Sequence, residues 1–414
     1  MQYVPEGTEI VLWGTGYIGR QVMDGEFGNY KISFAVDRKV DANSTDKIGD
    51  ISVYSPNVLD DTSFMRNQVL VIGVYFWQEI AAELEKKGKH IFRDYVPYNY
   101  LKHETVDLGF LKFCKDDEER IKFLKELSSG KKLCGLYGFC HMSVYESLLW
   151  TSKQFTEEYY TINIQIDRPG TPHFEMLCMP WIYSVLDLLI LAYVHPLSNL
   201  AAPDWKTVKN WTGEKCKVIL VTNASFKGYF PQHAIGVPET YERIHWGDKN
   251  LNEMILAGKT ADKMLQTISM PSFYNIEKVN QFYENELNKL EQSESECDVR
   301  IGDYIRKYGR QRKLMYSTTH PHECVMKEIA IRIFEKLGLD IEILKALPES
   351  DVPSLRGAGE FIYPSVYYAL GITEAQKDER VWINWDGSNY VTLSEFVDMY
   401  VEINGPYIKM KYGK

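Results

Sequence analysis

Glu9-Ile10-Val11-Leu12-Trp13-Gly14-Thr15-Gly16-Tyr17-Ile18-Gly19-Arg20 joins a short apolar run to a glycine turn and the opening of a helix. A run of this length, bounded by glycine, reads as a buried strand. A second strand pattern, Ile32 to Val36, ends in Asp37, placed roughly 20 residues after the first glycine, where a dinucleotide fold carries its acid. A third run, Val69 to Val74, and a helical pattern from Trp77 to Lys87 complete a unit over residues 1–105. The glycines let backbone approach a phosphate and the helix start attracts its charge. Gly14, Thr15, Gly16, Tyr17, Ile18, Gly19 and Asp37 are therefore the candidate nucleotide-binding residues. The unit is too small for a full dinucleotide fold. Tyr98 and Lys102 share the spacing of the short-chain dehydrogenase pair, but they follow Pro97 at the edge of this unit instead of lying on a late helix.

The remaining chain has a different character. At 414 residues it exceeds one ordinary core, and we expect a second, larger α/β domain over residues 106–414. Hydrophobic residues make up 45% and charged residues 25%, the balance of a globular protein. A net charge of −10 argues against a nucleic-acid partner, since neutralising phosphates needs a basic face. The seven cysteines, Cys114, Cys134, Cys140, Cys178, Cys216, Cys297 and Cys324, show no paired metal-ligand spacing, so no metal is expected. They read as reduced thiols of a cytoplasmic protein. The N-terminus shows no secretory leader, and the apolar stretch Val185 to Val194 carries Asp187 and falls well short of the roughly 20 residues of a membrane span.

Two segments carry candidate chemistry. Lys132-Leu-Cys-Gly-Leu-Tyr-Gly138-Phe-Cys140-His141 is a strand pattern that ends in glycine, with a helix pattern directly after the cysteine. A thiol at a helix start faces unpaired N–H groups that favour its thiolate. Farther on, Ser317-Thr-Thr-His320-Pro321-His322-Glu323 precedes apolar positions at Met326, Ile329, Ala330, Ile333 and Phe334, with Gly338 as a stop. That spacing predicts a helix with Pro321 in its first turn and His320 at its entrance, where the dipole favours neutral imidazole. Between them, the strand Lys217 to Val221 runs into Thr222-Asn223-Ala-Ser-Phe-Lys227-Gly228-Tyr229-Phe-Pro-Gln232, the polar, glycine-bearing kind of loop where parallel sheets place ligands. The lead-in around Asp116 to Arg120, the charged helix after residue 275 and a Thr392/Glu395 capping box read as structural.

Two resemblances follow from these marks. The glycine turn, Asp37 and Tyr54-Ser55-Pro56 make residues 1–105 similar to the N-terminal domain of PglD-like sugar acyltransferases, a small Rossmann-like unit that binds a UDP-linked sugar. Gly-Phe-Cys-His at 138–141, the loop at 223–232, Gly247-Asp248 and Thr-His-Pro at 319–321 stand in the order seen in WcbI-type capsular polysaccharide biosynthesis proteins, so residues 130–400 resemble that family. Phe139, His141 and Thr319 stand where the family usually has Asn, Gln and Asn.

What the resemblance implies is an SGNH-like, helix-rich fold, a coenzyme A or acetyl-CoA site, and acyl transfer to a sugar during capsular or surface polysaccharide synthesis. Acyl transfer needs a nucleophile or base and donors for the oxyanion. Cys140, His320 and Asn223 are the candidates for these roles. Cations and exposed backbone for the phosphates of coenzyme A point to Gly138, His141, Lys227, Gly228, Tyr229, Arg310 and Arg312, with Lys313 beside them and Arg356-Gly-Ala-Gly359 as a further loop. The partners implied are an acyl-CoA and a sugar or glycan acceptor; a homo-oligomer is compatible with the sequence. An esterase using the same Cys and His, and a non-catalytic nucleotide-sugar scaffold, are the competing readings.

Overall fold

The computed structural model describes residues 7–25, 27, 29–42, 44–60, 68–74, 77–89, 94–98, 114–128, 130–166, 179–194, 202–372, 379–384 and 389–412. The boundary expected near residue 105, Cys178 and Lys102 lie outside these residues.

The protein is an α/β structure built on two main sheets. The first contains β1 (Glu9–Trp13), β2 (Lys31–Val36), β3 (Thr45–Ile48), β4 (Ile51–Tyr54), β5 (Val69–Ile72) and β6 (Tyr95–Pro97), in the order β3-β4-β2-β1-β5-β6. The pairings from β4 across to β6 are parallel, and β3 closes the edge as the antiparallel arm of a hairpin with β4. Helix α1 (Tyr17–Met23) follows β1, and α2 (Trp77–Lys86) follows β5. Four of the five residues of β1 are buried, as a central parallel strand covered on both faces requires.

Helix α3 (Asp117–Leu127) leads into the second sheet; Asp116 caps it by accepting from the Glu119 N–H, and three acids sit in its first turn. The second sheet is wholly parallel: β7 (Lys132–Gly138), β8 (Tyr159–Gln165), β9 (Leu188–Ala192) and β10 (Lys217–Val221), in the order β10-β9-β7-β8. Side chains alternate across it. Cys134, Leu136, Leu188, Ile190, Ile219 and Val221 enter one core with the C-terminal helices, and Leu133, Tyr137, Leu189, Leu191 and Leu220 enter another with the residues of the first sheet. The sheet is thus the middle layer between these two cores, while its edge strand β8 also meets polar groups of the helix that follows β7.

Helix α4 (His141–Leu149) follows β7, and beyond β10 the chain is mostly helical, with a β11–β12 hairpin (His233–Ile235, Trp246–Asp248) and a second hairpin of β13 and β14 (Arg380–Trp382, Tyr390–Thr392). The helix Glu323–Leu337 packs against α4, and Gly338 ends it with a left-handed φ of 74°, which glycine adopts without Cβ strain. The capping box is formed: Thr392 N–H donates to Glu395, and the Glu395 N–H returns to Thr392 Oγ1. Among the described residues, no helix is long and apolar enough to cross a membrane.

Candidate active site

Because β7 and β10 run parallel in one sheet, their C-terminal ends emerge on the same edge, bringing Cys140 and Asn223 to one side of the molecule. Cys140 is the N-cap of α4 and directly continues β7 through Gly138 and Phe139. A Cβ on Gly138 would lie 2.7 Å from that of Ala192 on β9 and 2.9 Å from Met142 Cε on α4. The glycine therefore permits helix and sheet to meet closely enough for the thiol to stand at the junction.

His320 reaches this edge on the loop before the helix Glu323–Leu337. The loop is closed by the Tyr316 N–H to His320 O bond (2.7 Å) and by the bridge between Met315 and Pro321. It docks on the β10 loop, where Phe226 N–H and Ser225 Oγ both donate to Thr318 O. Glu360, itself buried, accepts the Thr318 N–H on one oxygen (2.8 Å) and meets His233 Nδ1 on the other (2.8 Å). The outcome is a Cys140 Sγ to His320 Nε2 distance of 3.5 Å.

The tautomer of His320 follows from its second contact. Nδ1 lies 2.7 Å from the Gly357 carbonyl, which can only accept, so Nδ1 carries the proton and Nε2 offers its lone pair to the thiol. Burial pushes His320 down to about 4, against the raising effect of that carbonyl. Neutral imidazole is thus the form present near pH 7. The expected arrangement at the helix start needs correcting here. His322, not His320, is the N-cap, and Pro321 pairs in a bridge instead of entering the first turn. Desolvation, not the dipole, keeps His320 neutral.

Further groups close around the pair. His141 and His245 are both buried and held neutral, down to about 3, by desolvation with His320 adding a smaller like-charge effect. His245 Nε2 bonds the Tyr241 hydroxyl (2.7 Å). His141 Nε2 and the Tyr145 hydroxyl are buried without a hydrogen-bond partner among the described residues. Burial and nearby Cys140 keep the Tyr145 phenol protonated. Among the described residues, Ala224 (φ 33°) and Ala358 (φ 53°) are the non-glycine positions with left-handed backbone, one directly after Asn223 and the other after Gly357. Backbone strain of this kind, costing on the order of 1–3 kcal/mol, collects where surrounding contacts fix a functional geometry.

The remaining candidates separate into those beside the site and those spent elsewhere. Asn223 is half-buried, and its amide makes no hydrogen bond to a described residue. Lys227 is exposed on the same loop. Tyr229 does not face a ligand: it is fully buried and its hydroxyl donates to the Gly309 carbonyl (2.7 Å). Gly228 is required for packing, since a Cβ would meet the Phe226 ring at 2.2 Å. Arg310 lies over the Tyr283 ring and pairs with Glu284 (3.0 Å), while Arg312 pairs with Glu349 (2.6 Å), so both are structural cations. Lys313 is buried against Glu379.

In the first sheet, Asp37 departs from its expected role. One carboxylate oxygen accepts both the N–H and the hydroxyl of Thr15 (2.9 and 2.7 Å), and the other accepts the Lys39 N–H, so the acid folds back on the glycine turn. Gly14 (φ 103°) and Gly19 are packing positions, with a Cβ on Gly19 falling 2.0 Å from Gly14 O. Gly16, by contrast, has open space around it.

Pattern alone missed His245, Glu360 and His233, which carry no local motif. Gly357 was legible only as part of a glycine loop. Among the described residues, no group of three or more His, Cys, Asp or Glu gathers to hold a metal ion.

Residues 184–342 match the family model described as polysaccharide biosynthesis enzyme WcbI. No curated protein matches the chain in sequence. The fold is similar to a solved structure of WcbI, described as a novel polysaccharide biosynthesis enzyme, in its native form without a disulfide bond between coenzyme A and one of its cysteines. That similarity has a TM-score of 0.56 at 14% identity and covers 68% of this chain and 93% of the other. Neither match bears on the PglD-like reading of residues 1–105. Residues 184–342 thus match the WcbI family model, and about two thirds of the chain shares the fold of the solved WcbI structure.

Proposed function

We propose that this protein is a cytoplasmic coenzyme A-dependent acyltransferase that acetylates a sugar during surface or capsular polysaccharide synthesis. One observation carries the reading: a thiol at a strand–helix junction meets the lone pair of a neutral, tautomer-fixed histidine, within a WcbI-type fold. The coenzyme A named for the solved WcbI structure supports an acyl-CoA as the donor.

The chemistry is double displacement. His320 Nε2 takes the Cys140 thiol proton, and the sulfur bonds to the acetyl carbon of acetyl-CoA. The bond from that carbon to the coenzyme sulfur breaks, and the departing thiolate takes the proton from imidazolium. An acceptor hydroxyl then gives its proton to Nε2, its oxygen bonds to the acetyl carbon, and the carbon–sulfur bond to Cys140 breaks; the thiolate recovers the proton. The Cys140 N–H and the unengaged Asn223 amide are the proposed oxyanion donors. Lys227 is the proposed phosphate contact.

In this reading residues 106–414 form the transferase domain, and residues 1–105 a separate domain that takes a nucleotide sugar at the turn around Gly16, without the Asp37 contact. The test is mass spectrometry of the intact protein after acetyl-CoA alone. One acetyl group on Cys140, discharged by a sugar acceptor, supports the mechanism. Transfer without that adduct replaces it with direct attack by the acceptor, and absence of both coenzyme A binding and transfer removes the acyltransferase reading.

A further inference from the structure

Arg356 immediately precedes Gly357, whose carbonyl holds His320. Its guanidinium is fixed by Nε alone, which donates to the Tyr316 hydroxyl (3.1 Å) and to Glu323 Oε1 (3.1 Å). Both anchors are themselves held, because the Tyr316 hydroxyl also donates to Glu323 Oε2 (2.6 Å) and the Glu323 side chain is only 8% exposed. The cation lies over two rings, those of Tyr316 (5.8 Å) and Trp382 (5.9 Å). Trp382 belongs to the strand that runs beside this loop, since its carbonyl accepts the Gly359 N–H and Asn384 O accepts the Ala358 N–H. Neither terminal nitrogen, Nη1 or Nη2, bonds a described residue, and the Arg356 side chain is 48% exposed.

This cation differs from its neighbours. Arg310, Arg312 and Lys313 each end on a carboxylate. Arg356 uses its inner nitrogen for anchorage and leaves the planar outer pair unengaged. An arginine so held has already lost most of its rotamer freedom, and two parallel N–H groups fit two oxygens of a phosphate or carboxylate. Stacking on aromatic rings leaves its hydrogen-bonding edge outward.

We infer that Arg356 is an anion clamp on the loop that holds His320, taking two oxygens of a substrate group: a phosphate of the acyl donor or the carboxylate of an acidic sugar. The assignment of that group to a substrate rests on the acyl-transfer reading; the clamp itself does not. Its probe is therefore inorganic pyrophosphate, titrated calorimetrically into the full-length protein and into Arg356→Lys and Arg356→Gln. Lysine keeps a charge beside buried Glu323 but lacks the planar pair, so it tests the clamp even where glutamine lowers folding stability.

Pyrophosphate affinity is expected to fall at least ten-fold in Arg356→Lys, and unchanged affinity in that variant overturns the proposal. A wild type that binds no pyrophosphate overturns it too. A parallel fall for coenzyme A, with pantetheine unaffected, identifies the donor phosphate as the source. Unchanged coenzyme A affinity, with a ten-fold higher KM for a glucuronate-bearing acceptor and no change for a neutral one, identifies the carboxylate. Loss of pyrophosphate binding in the variants of a wild type that binds no coenzyme A removes the acyl-transfer reading and leaves the clamp standing.

Discussion

Cys140 Sγ and His320 Nε2 lie 3.5 Å apart across 180 residues of chain, and the proton on His320 Nδ1 is committed to the Gly357 carbonyl. The pair resembles a nucleophile–base couple whose orienting third member is a backbone carbonyl in place of a carboxylate. A carbonyl fixes the ring without adding negative charge, which accords with a histidine that stays neutral.

Replacing either partner should remove turnover and leave the fold in place. His320→Asn is expected to lower kcat/KM for acetyl transfer by about 10²–10⁴-fold, the usual contribution of a positioned general base. Cys140→Ala should abolish the acetylated intermediate altogether. Steady-state assays alongside thermal melts of both variants check this.

The acid limb of reactivity should sit far below that of an ordinary imidazole. His320 loses its lone pair only as pH falls through about 4, so alkylation of Cys140 by iodoacetamide should retain its histidine-assisted component down to that region. Rate–pH profiles of wild type and His320→Asn test it. A limb near 6.5 shared by neither variant nor substrate would contradict the buried, neutral ring.

Stability should respond to pH with two opposing slopes. His141 and His320 are depressed to about 3 and about 4, so the unfolded chain takes up their protons first, and the stability they contribute above 6.5 is lost as pH falls toward 4. Glu146 is shifted the other way, to about 7, by burial between α4 and β8, against hydrogen bonds from Thr161 and Asn163. The folded state holds its proton between about 4.5 and 7, so this group costs stability as pH rises through that window. Glu146→Gln is therefore expected to stabilise the protein by about 1–3 kcal/mol at pH 8 and not at all below 4.5. Urea melts of the variant across pH should also show the histidine slope more steeply.

Glu360 is a positioning residue and should reveal itself as one. Glu360→Ala leaves the buried Thr318 N–H without its acceptor, a loss of about 1–3 kcal/mol, and frees the loop that carries His320. We expect kcat to fall while the KM for acetyl-CoA holds. Glu360→Gln, which keeps an accepting oxygen for Thr318, should restore most of kcat.

Gly138 should tolerate no side chain. A methyl there would overlap Ala192 Cβ and Met142, pushing α4 off the sheet at a cost of roughly 1–3 kcal/mol and moving Cys140 from His320. Gly138→Ala should thus slow Cys140 alkylation more than it lowers the melting temperature would suggest.

Local pattern was sufficient for the elements that carry the sheet edges. The apolar runs at 9–13, ended by Gly14, and at 217–221 became β1 and β10, because a strand covered on both faces must be largely apolar. The run at 185–194 could not be assigned to strand or helix from periodicity alone, and its middle forms β9. Cys140 was visible for the same local reason, as a thiol at the end of one such run. What Arg310, Arg312, Tyr229 and Asp37 do was not visible, since a cation or hydroxyl shows its chemistry in sequence but not the partner that occupies it. The sequence by itself determined the strands at 9–13, 32–36, 69–72, 132–138 and 217–221, the glycine turns and the thiol, all of which depend on neighbours within a few residues. Only the tertiary structure decided that His320 meets Cys140, that Gly357 sets its tautomer and that burial keeps it neutral, because contact and desolvation are made by segments far apart in the chain.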